Sequence, residues 1–391
     1  MKLRTIRYVH SDYLLYHADK NPAVKKRASL VHELIVAYGL LKHLHLLQPK
    51  TCSVINMAHF HTREYLLQLE QGAKRGKYVA STNSTDDEDD SDVELNRTAE
   101  DYGLGFDCPV WSDMHNYVCS VAGATMTACN VLCKSYNPAQ EVVINWTGGW
   151  HHAHSDKAGG YCYVNDIVLG ILVMRKRFQR ILYLDLDVHH GDGVQAAFET
   201  SKRVFTLSFH QYECGFYPGT GSSADCGFGS AKGYAANFPY QTGLAGKNFK
   251  KYFQRVTQEI LLRYEPDACV IQCGADAIVG DPLGGSNLTP TDLIECVLFV
   301  LQRGLPTVVL GGGGYHFANT SRYWTLLTAA LCGQTLSDDI PDETTRFLEY
   351  GPDYSLNVEA KQIKDLNTTE YLETCAATIE GNLQKYNVIP G

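Results

Sequence analysis

No run of 18 uncharged apolar residues occurs anywhere in the 391-residue chain, which excludes a membrane-spanning helix. The opening MKLRTIRYVHSDYLLYH has neither a long apolar segment nor a small-residue cleavage site, so a soluble, intracellular protein is expected. In that setting the Asn-x-Ser/Thr triplets at Asn83, Asn96, Asn145, Asn287, Asn319 and Asn367 are chance occurrences. Paired cysteines are missing too. The 13 cysteines are odd in number, and none sits in a CxxC or at zinc-finger spacing, which argues against a disulfide scaffold. Charge is sparse at 20% and shows no basic excess: 34 Lys and Arg face 43 Asp and Glu, for a net −9. The run Asp86, Asp87, Glu88, Asp89, Asp90, Asp92 and Glu94 accounts for seven of those nine charges, leaving the rest near −2. So neutral a body lacks the basic face of a nucleic-acid binder, and no direct nucleic-acid or membrane contact is expected. No repeat and no Pro-rich or Gly/Ser linker divides the chain, so residues 1–391 are expected to form a single domain. The acidic, aromatic-poor stretch at roughly 80–100 cannot bury enough surface to offset its ordering entropy, and is expected to be a mobile surface loop.

What the chain does have is 45% hydrophobic residues in short β-branched runs: EVVINW at 141, RILYLDL at 180, RVFTLSF at 203, DACVIQC at 267 and LPTVVLGGGG at 305. Each reads as a strand buried on both faces. Helical spacing of apolar residues covers 24–44, 117–134, 163–177, 248–264, 290–303 and 319–333. Strand and helix alternate, which predicts an α/β protein with a central parallel sheet flanked by helices on both faces.

The unusual polar clusters all follow the C-terminal ends of these strands: WTGGWHHAHSD, DLDVHHGDG, SFH at 208–210, GADAI at 274–278 and GGGGYH at 311–316. That edge is where open α/β sheets bind ligands. Asp185, Asp187 and His189 alternate along an extended segment and so project to one side of it, as half of a divalent-metal site. Asp276, from a separate strand end, supplies a third oxygen ligand. Two carboxylates and one imidazole leave a position open for water, as a catalytic zinc requires. A lone Asp-x-His is better read as strand-end capping; three strand ends with matching chemistry favour the metal. His151 and His152 follow a Gly-Gly-Trp turn and suit general acid–base work, with Asp185 and Asp192 as candidate orienting carboxylates. Tyr315, after Gly311 to Gly314, is placed to donate its phenol to an oxyanion. The glycine run lacks the GxxxxGK[ST] lysine and is no phosphate cradle.

The motifs N-W-T-G-G-W-H-H-A, D-L-D-V-H-H-G-D-G, G-F-Y-P-G-T-G, Q-C-G-A-D and L-G-G-G-G-Y resemble those of the class I zinc-dependent histone deacetylases. KKRASLVHELIVAYGL, DYGLGFDCP at 101 and YGPDYSLNV at 350 extend the resemblance over nearly the whole chain. It implies an arginase/deacetylase fold and hydrolysis of acyl groups from lysines of histone tails and other proteins, in nucleus and cytoplasm. It makes Asp187, His189 and Asp276 the zinc ligands, and His151 and His152 the histidine pair, with Asp185 and Asp192 behind them. Tyr315 becomes the tyrosine that polarises the amide carbonyl. Asp107 becomes the rim carboxylate that grips substrate backbone, and Gly160, Tyr161, Tyr217 and Leu283 the tunnel wall. Asp185, Asp187, His189, Ser208 and Phe209 match a structural potassium site. Tyr161 and Tyr217 stand where the family usually has phenylalanine, and each adds a hydroxyl that is expected to reach solvent at the rim. His316, where Asn or Thr is frequent, is read as structural.

Two rival readings are weaker. An arginase-like binuclear manganese hydrolase wants carboxylates where this chain has Gly191 and Ile278, and an inactive acetyl-lysine reader has no need of the ligands, the histidine pair and Tyr315 together. Pro282 and Ala318 replace residues that hold inositol phosphate in co-repressor-bound relatives, so a free-standing enzyme is expected. Arg175, Lys176, Arg177 and Arg180 form either a nuclear import signal or a solvated helix end. Lys25, Lys26 and Arg27 before Ser29 make a basic-directed kinase pattern.

Overall fold

A computed structural model describes residues 4–79 and 98–388. The stretch expected to be a mobile loop lies outside these except for its last residues, where Thr98 and Asp101 form a capping box on the 3-10 turn Ala99–Tyr102.

Eight strands make one sheet: β1 (Thr5–Val9), β2 (His45–Leu47), β3 (Glu141–Asn145), β4 (Ile181–Asp185), β5 (Val204–Gln211), β6 (Ala235–Tyr240), β7 (Ala268–Gln272) and β8 (Thr307–Leu310). They lie in the order β2-β1-β3-β8-β7-β4-β5-β6, and every pairing is parallel. The side-chain period of two divides their apolar residues between two cores. Ile6, Val142, Ile144, Leu182, Leu184, Phe205 and Leu207 face one layer; Val143, Ile181, Tyr183, Val204, Val270 and Val308 face the other. Because both faces are covered, each apolar run is continuous rather than alternating. Burying one such side chain is worth roughly 1.5–3 kcal/mol, and truncating one, Leu184→Ala for instance, would cost about 2–5 kcal/mol.

The helices are α1 (Asp12–Ala18), α2 (Arg27–Ala37), α3 (Val54–Met57), α4 (Arg63–Val79), α5 (Met114–Lys134), α6 (Asp166–Met174), α7 (Asp192–Phe198), α8 (Gly246–Tyr264), α9 (Pro290–Leu301), α10 (Phe317–Leu331) and α11 (Thr369–Lys385). α2 and α8 to α11 pack on the first face, α5 to α7 on the second. Five of the six helices read from spacing are present with shifted ends, but the helix read over 24–44 stops at Ala37. Gly39, at φ +65°, terminates it, and a 3-10 turn then leads into β2. Sequence patterning also misses β1, β2 and β6. Arg7 interrupts β1 because it pairs with Glu141 at 2.9 Å, and Pro239 is tolerated in β6 because that strand is an edge.

Two of the four residues of the basic cluster are engaged within the protein. Arg177 Nη1 donates to the carbonyls of Leu132, Cys133 and Ser135 at the end of α5, and Arg180 pairs with Asp267 at 3.0 Å. Ser29 donates its hydroxyl to Asp19 and accepts from Arg346, while Arg27 is buried.

Candidate active site

The sheet order sets β3, β8, β7 and β4 side by side, so the polar segments after them converge at one edge. Ser208 is a correction to the strand-end pattern, because it lies inside β5, opposite Asp185 in register, with its hydroxyl on His210 at 2.8 Å.

Asp187, His189 and Asp276 each direct one donor atom into a common point, all within 4.8 Å of one another and all buried. His189 Nδ1 lies 3.2 Å from Asp187 Oδ1 and 3.1 Å from Asp276 Oδ2. The far oxygens are held by the protein: Gln272 Nε2 and the Gly313 N–H donate to Asp187 Oδ2 at 2.7 and 2.9 Å, and the Val188 N–H to Asp276 Oδ1 at 3.1 Å. Burial and the neighbouring Asp187 raise the pKa of Asp276. Two carboxylates are thus pressed together out of water with only imidazole between them, an arrangement that a divalent cation relieves. The donor set fits a metal ion. Asp185, expected on the same side, instead turns to His151 and leaves the trio to Asp187, His189 and Asp276. The bend at residues 187–189, just past β4, breaks the strand alternation.

His151 Nδ1 lies 2.8 Å from Asp185 Oδ2, which also accepts from the Tyr183 hydroxyl at 2.6 Å. His152 Nδ1 lies 2.7 Å from Asp192 Oδ1, and the two Nε2 atoms meet at 3.0 Å. Each imidazole therefore has a carboxylate behind it. Their electrostatics diverge: burial disfavours charge on both, but Asp185 and Asp187 overcome it at His151, raising its pKa to about 9. Burial and then His151 lower that of His152 to about 3. His152 is the neutral acceptor of the pair.

A cavity of about 300 Å³ leads to this point, lined among others by Asp107, Gly160, Tyr161, Tyr217, Leu283 and Tyr315, with His152 and His189 at its end. All five residues read as substrate-binding line it. Gly160 is required sterically, since a Cβ there would stand 2.3 Å from His152. Asp107 Oδ2 accepts the Gly160 N–H at 2.6 Å, which ties the rim carboxylate to the wall. Tyr217 packs edge-on against His152, with ring centroids 4.9 Å apart, and is 44% exposed; Tyr161 packs against Tyr315 at 5.4 Å. Burial and Asp276 keep the Tyr315 phenol protonated and so available as a donor. His316 caps α10 by accepting the Asn319 N–H.

Several supporting residues escape sequence reading. Arg27, buried, donates to the carbonyls of Gly312 and Gly314 at 2.9 Å and lies between Trp150 and Trp324, which fixes the glycine run. Asp166 accepts the N–H groups of Gly149 and Trp150, and Asn165 donates to the carbonyls of His151 and Ala153, so the start of α6 holds the histidine loop. Asp281 accepts the N–H groups of Tyr315 and His316. Phe216 stacks on His189 at 5.2 Å. Only Asp166 and Asp281 carry a sequence signal, as charges inside apolar stretches; Arg27 is hidden among basic neighbours.

Among the described residues, the further carboxylates that a binuclear manganese centre wants at positions 191 and 278 are missing. A side chain at Gly191 would meet Asp185 Oδ2 at 2.2 Å, and Ile278 is buried and apolar.

Among known proteins, a histone deacetylase domain matches residues 21–331. Histone deacetylase 8 of Danio rerio is 43% identical over 383 residues, covering 98% of this chain and 96% of that protein. Histone deacetylase 8 of Xenopus tropicalis is 42% identical over 97% of each chain. Histone deacetylase 1 of Homo sapiens is 34% identical over 96% of this chain and 74% of its own length.

Proposed function

This chain belongs to the histone deacetylase family as a class I lysine deacetylase, and we propose that it works with one zinc ion held by Asp187, His189 and Asp276. The observation that carries this reading is the meeting of the buried trio and the carboxylate-backed histidines at the end of one cavity. Zinc in that position supplies Lewis acidity, polarising the acyl carbonyl and acidifying a water. His152, held at Nδ1 by Asp192, takes a proton from the attacking water at Nε2 and passes it to the lysine nitrogen as the amide C–N bond breaks. His151, held by Asp185, fixes the geometry of its neighbour. Tyr315 donates its phenol O–H to the carbonyl oxygen as that oxygen gains charge. The walls formed by Gly160, Tyr161, Tyr217 and Leu283 exclude water from the lysine stem, and the free oxygen of Asp107 accepts peptide N–H groups at the rim.

A potassium ion beside the zinc is part of the same reading. Asp185 and Ser208 face each other in register, and the buried charge of Asp185, Asp187 and His189, with the Phe209 backbone alongside, suits a monovalent cation. The enzyme is proposed to act as a single domain, since the segments after the strands of one sheet supply the metal trio, the histidine pair and Tyr315, and α11 docks on α8 through Arg255 and Glu380. Pro282 and Ala318 support action without an inositol-phosphate co-repressor, and the near-neutral body supports an absence of nucleic-acid contact. Residence in both nucleus and cytoplasm completes the proposal, resting on the family alone.

The test is hydrolysis of an acetyl-lysine peptide by purified protein, before and after chelation and after return of zinc. Release of acetate that is lost with the metal and restored by one zinc per chain is expected. Activity requiring two manganese ions, or peptide binding without turnover, would overturn the reading.

A further inference from the structure

Asp192 has two oxygens and two histidines. Oδ1 lies 2.7 Å from His152 Nδ1, on the cavity side, and Oδ2 lies 3.1 Å from His154 Nε2, on the other. The three groups step outward: the side chain of His152 is 4% exposed, that of Asp192 16% and that of His154 29%. His154 opens onto a second cavity of about 580 Å³, lined by Lys157, His190, Asp192, Glu199 and Asp225 among others. It is held in place rather than loosely appended. Its backbone N–H donates to the Lys157 carbonyl at 3.0 Å, the His61 ring rests against the backbone of residues 154–155, and the start of α7 is packed so closely that a Cβ at Gly193 would stand 2.6 Å from the carbonyls of Ala153 and His151.

We propose that His154 is a positioning residue that sets the basicity of His152 through the carboxylate they share. The inference rests on the reading of His152 as general base. Neutral His154 gives Asp192 one N–H and leaves its negative charge to support a protonated His152. Once His154 binds a proton, that charge is compensated from outside, and His152 becomes a weaker base. The charged groups facing His154 are Asp192 and Glu199 from α7, Asp225 from the loop after β5, and Lys157 and His190 from flanking loops; Asp192 is the one in contact. Asp192 touches both rings, so charge gained at His154 is felt at His152 through that one carboxylate. A change of about one pKa unit in the base is worth at most about tenfold in rate.

The experiment is the pH profile of kcat/KM on an acetyl-lysine peptide, from about pH 5.5 to 9, for zinc-loaded parent, His154→Gln and His154→Lys, with melting temperatures alongside. Glutamine keeps a donor to Asp192 but does not titrate, so the acid limb should lose one ionisation. Lysine stays charged and should hold the rate down by about threefold to tenfold at pH values where parental His154 is neutral. Superimposable profiles would overturn the inference, as would an equal loss at every pH with a lower melting temperature. Should the lysine variant not fold, the glutamine profile decides alone. His152→Ala run in parallel separates the two readings: residual full activity there sinks the general base itself, whereas an inactive His152→Ala with an unchanged His154→Gln profile sinks only the role of His154.

Discussion

The two edges of the sheet treat charge in opposite ways. At the N-terminal edge the carboxylates Glu141 and Asp267 each have their own arginine in pairs that are partly wet: Arg7 with Glu141, and Arg180 with Asp267. At the C-terminal edge Asp185, Asp187, Asp192, Asp276 and Asp281 are gathered with histidines between them, and the buried Arg27 spends its donors on carbonyls of the glycine run. A matched edge needs nothing further. An unmatched, desolvated one is stable only with something to balance it, which is the signature of a site built for a cation and for charge that develops during reaction.

The same chemical change at both edges is the sharpest way to break that comparison. Asp276→Asn should abolish tight zinc binding, by more than about 100-fold, and activity with it, while the metal-free protein melts no lower than the metal-free parent because a buried like charge has been removed. Metal analysis and calorimetry read the two halves; retained zinc, or a clear loss of metal-free stability, would contradict the unmatched-edge account. Next in size, Tyr315→Phe should lose about 10²–10³ in kcat with zinc content and inhibitor binding intact, since it removes only a donor to the developing charge. Parental turnover in that variant would remove Tyr315 from the mechanism.

How much of this was legible in the sequence follows from the same contrast. The five central strands announce themselves because they are buried on both faces, and the ligands, the histidine pair and Tyr315 announce themselves by clustering at strand ends. β1, β2 and β6 do not, because an ion pair, brevity and an edge proline replace the apolar run. Asp185 is visible as a charge, but its turn toward His151 depends on a bend just past β4 that no alternation rule contains. Arg27 is hidden among basic neighbours, and Asp166 shows as a charge in an apolar stretch without showing its role. They act on backbone groups across the fold, and a backbone carbonyl or N–H has no residue type.

A third prediction concerns the support behind the histidine loop. His61 is buried and accepts the Asn165 N–H at Nε2, so its ring must be neutral, and burial lowers its pKa to about 4. The unfolded chain, with an ordinary value near 6.5, binds the proton first as pH falls. Its stabilising contribution is therefore complete above about pH 6.5 and is lost as pH drops toward 4, about 1.4 kcal/mol per unit and about 3 kcal/mol in all. Chemical denaturation of parent and His61→Gln across that window should give curves that converge at low pH. Parallel curves would show that His61 carries no such linkage.

The smallest effect is expected at the other edge, and it completes the comparison. Asp267 pairs with Arg180 at 3.0 Å, and its second oxygen accepts the N–H groups of Gln179 and Arg180 at 3.1 and 2.9 Å. Asp267→Asn keeps an acceptor for those N–H groups and removes only the charge. The pair is about a third exposed at the carboxylate, so solvent screens it and the loss should be about 0.5–1 kcal/mol. For a chain of this size that is a fall of about 1–3 °C in Tm. Because Asp267 stands at the start of β7 and the metal trio lies beyond its end, with the whole buried strand between, kcat/KM and zinc content should match the parent. One substitution, aspartate to asparagine, would then cost stability without function at one end of β7 and function without stability just beyond the other. A loss of activity in Asp267→Asn at parental zinc content would mean that the two edges are coupled through the strand, and the division between them would fail.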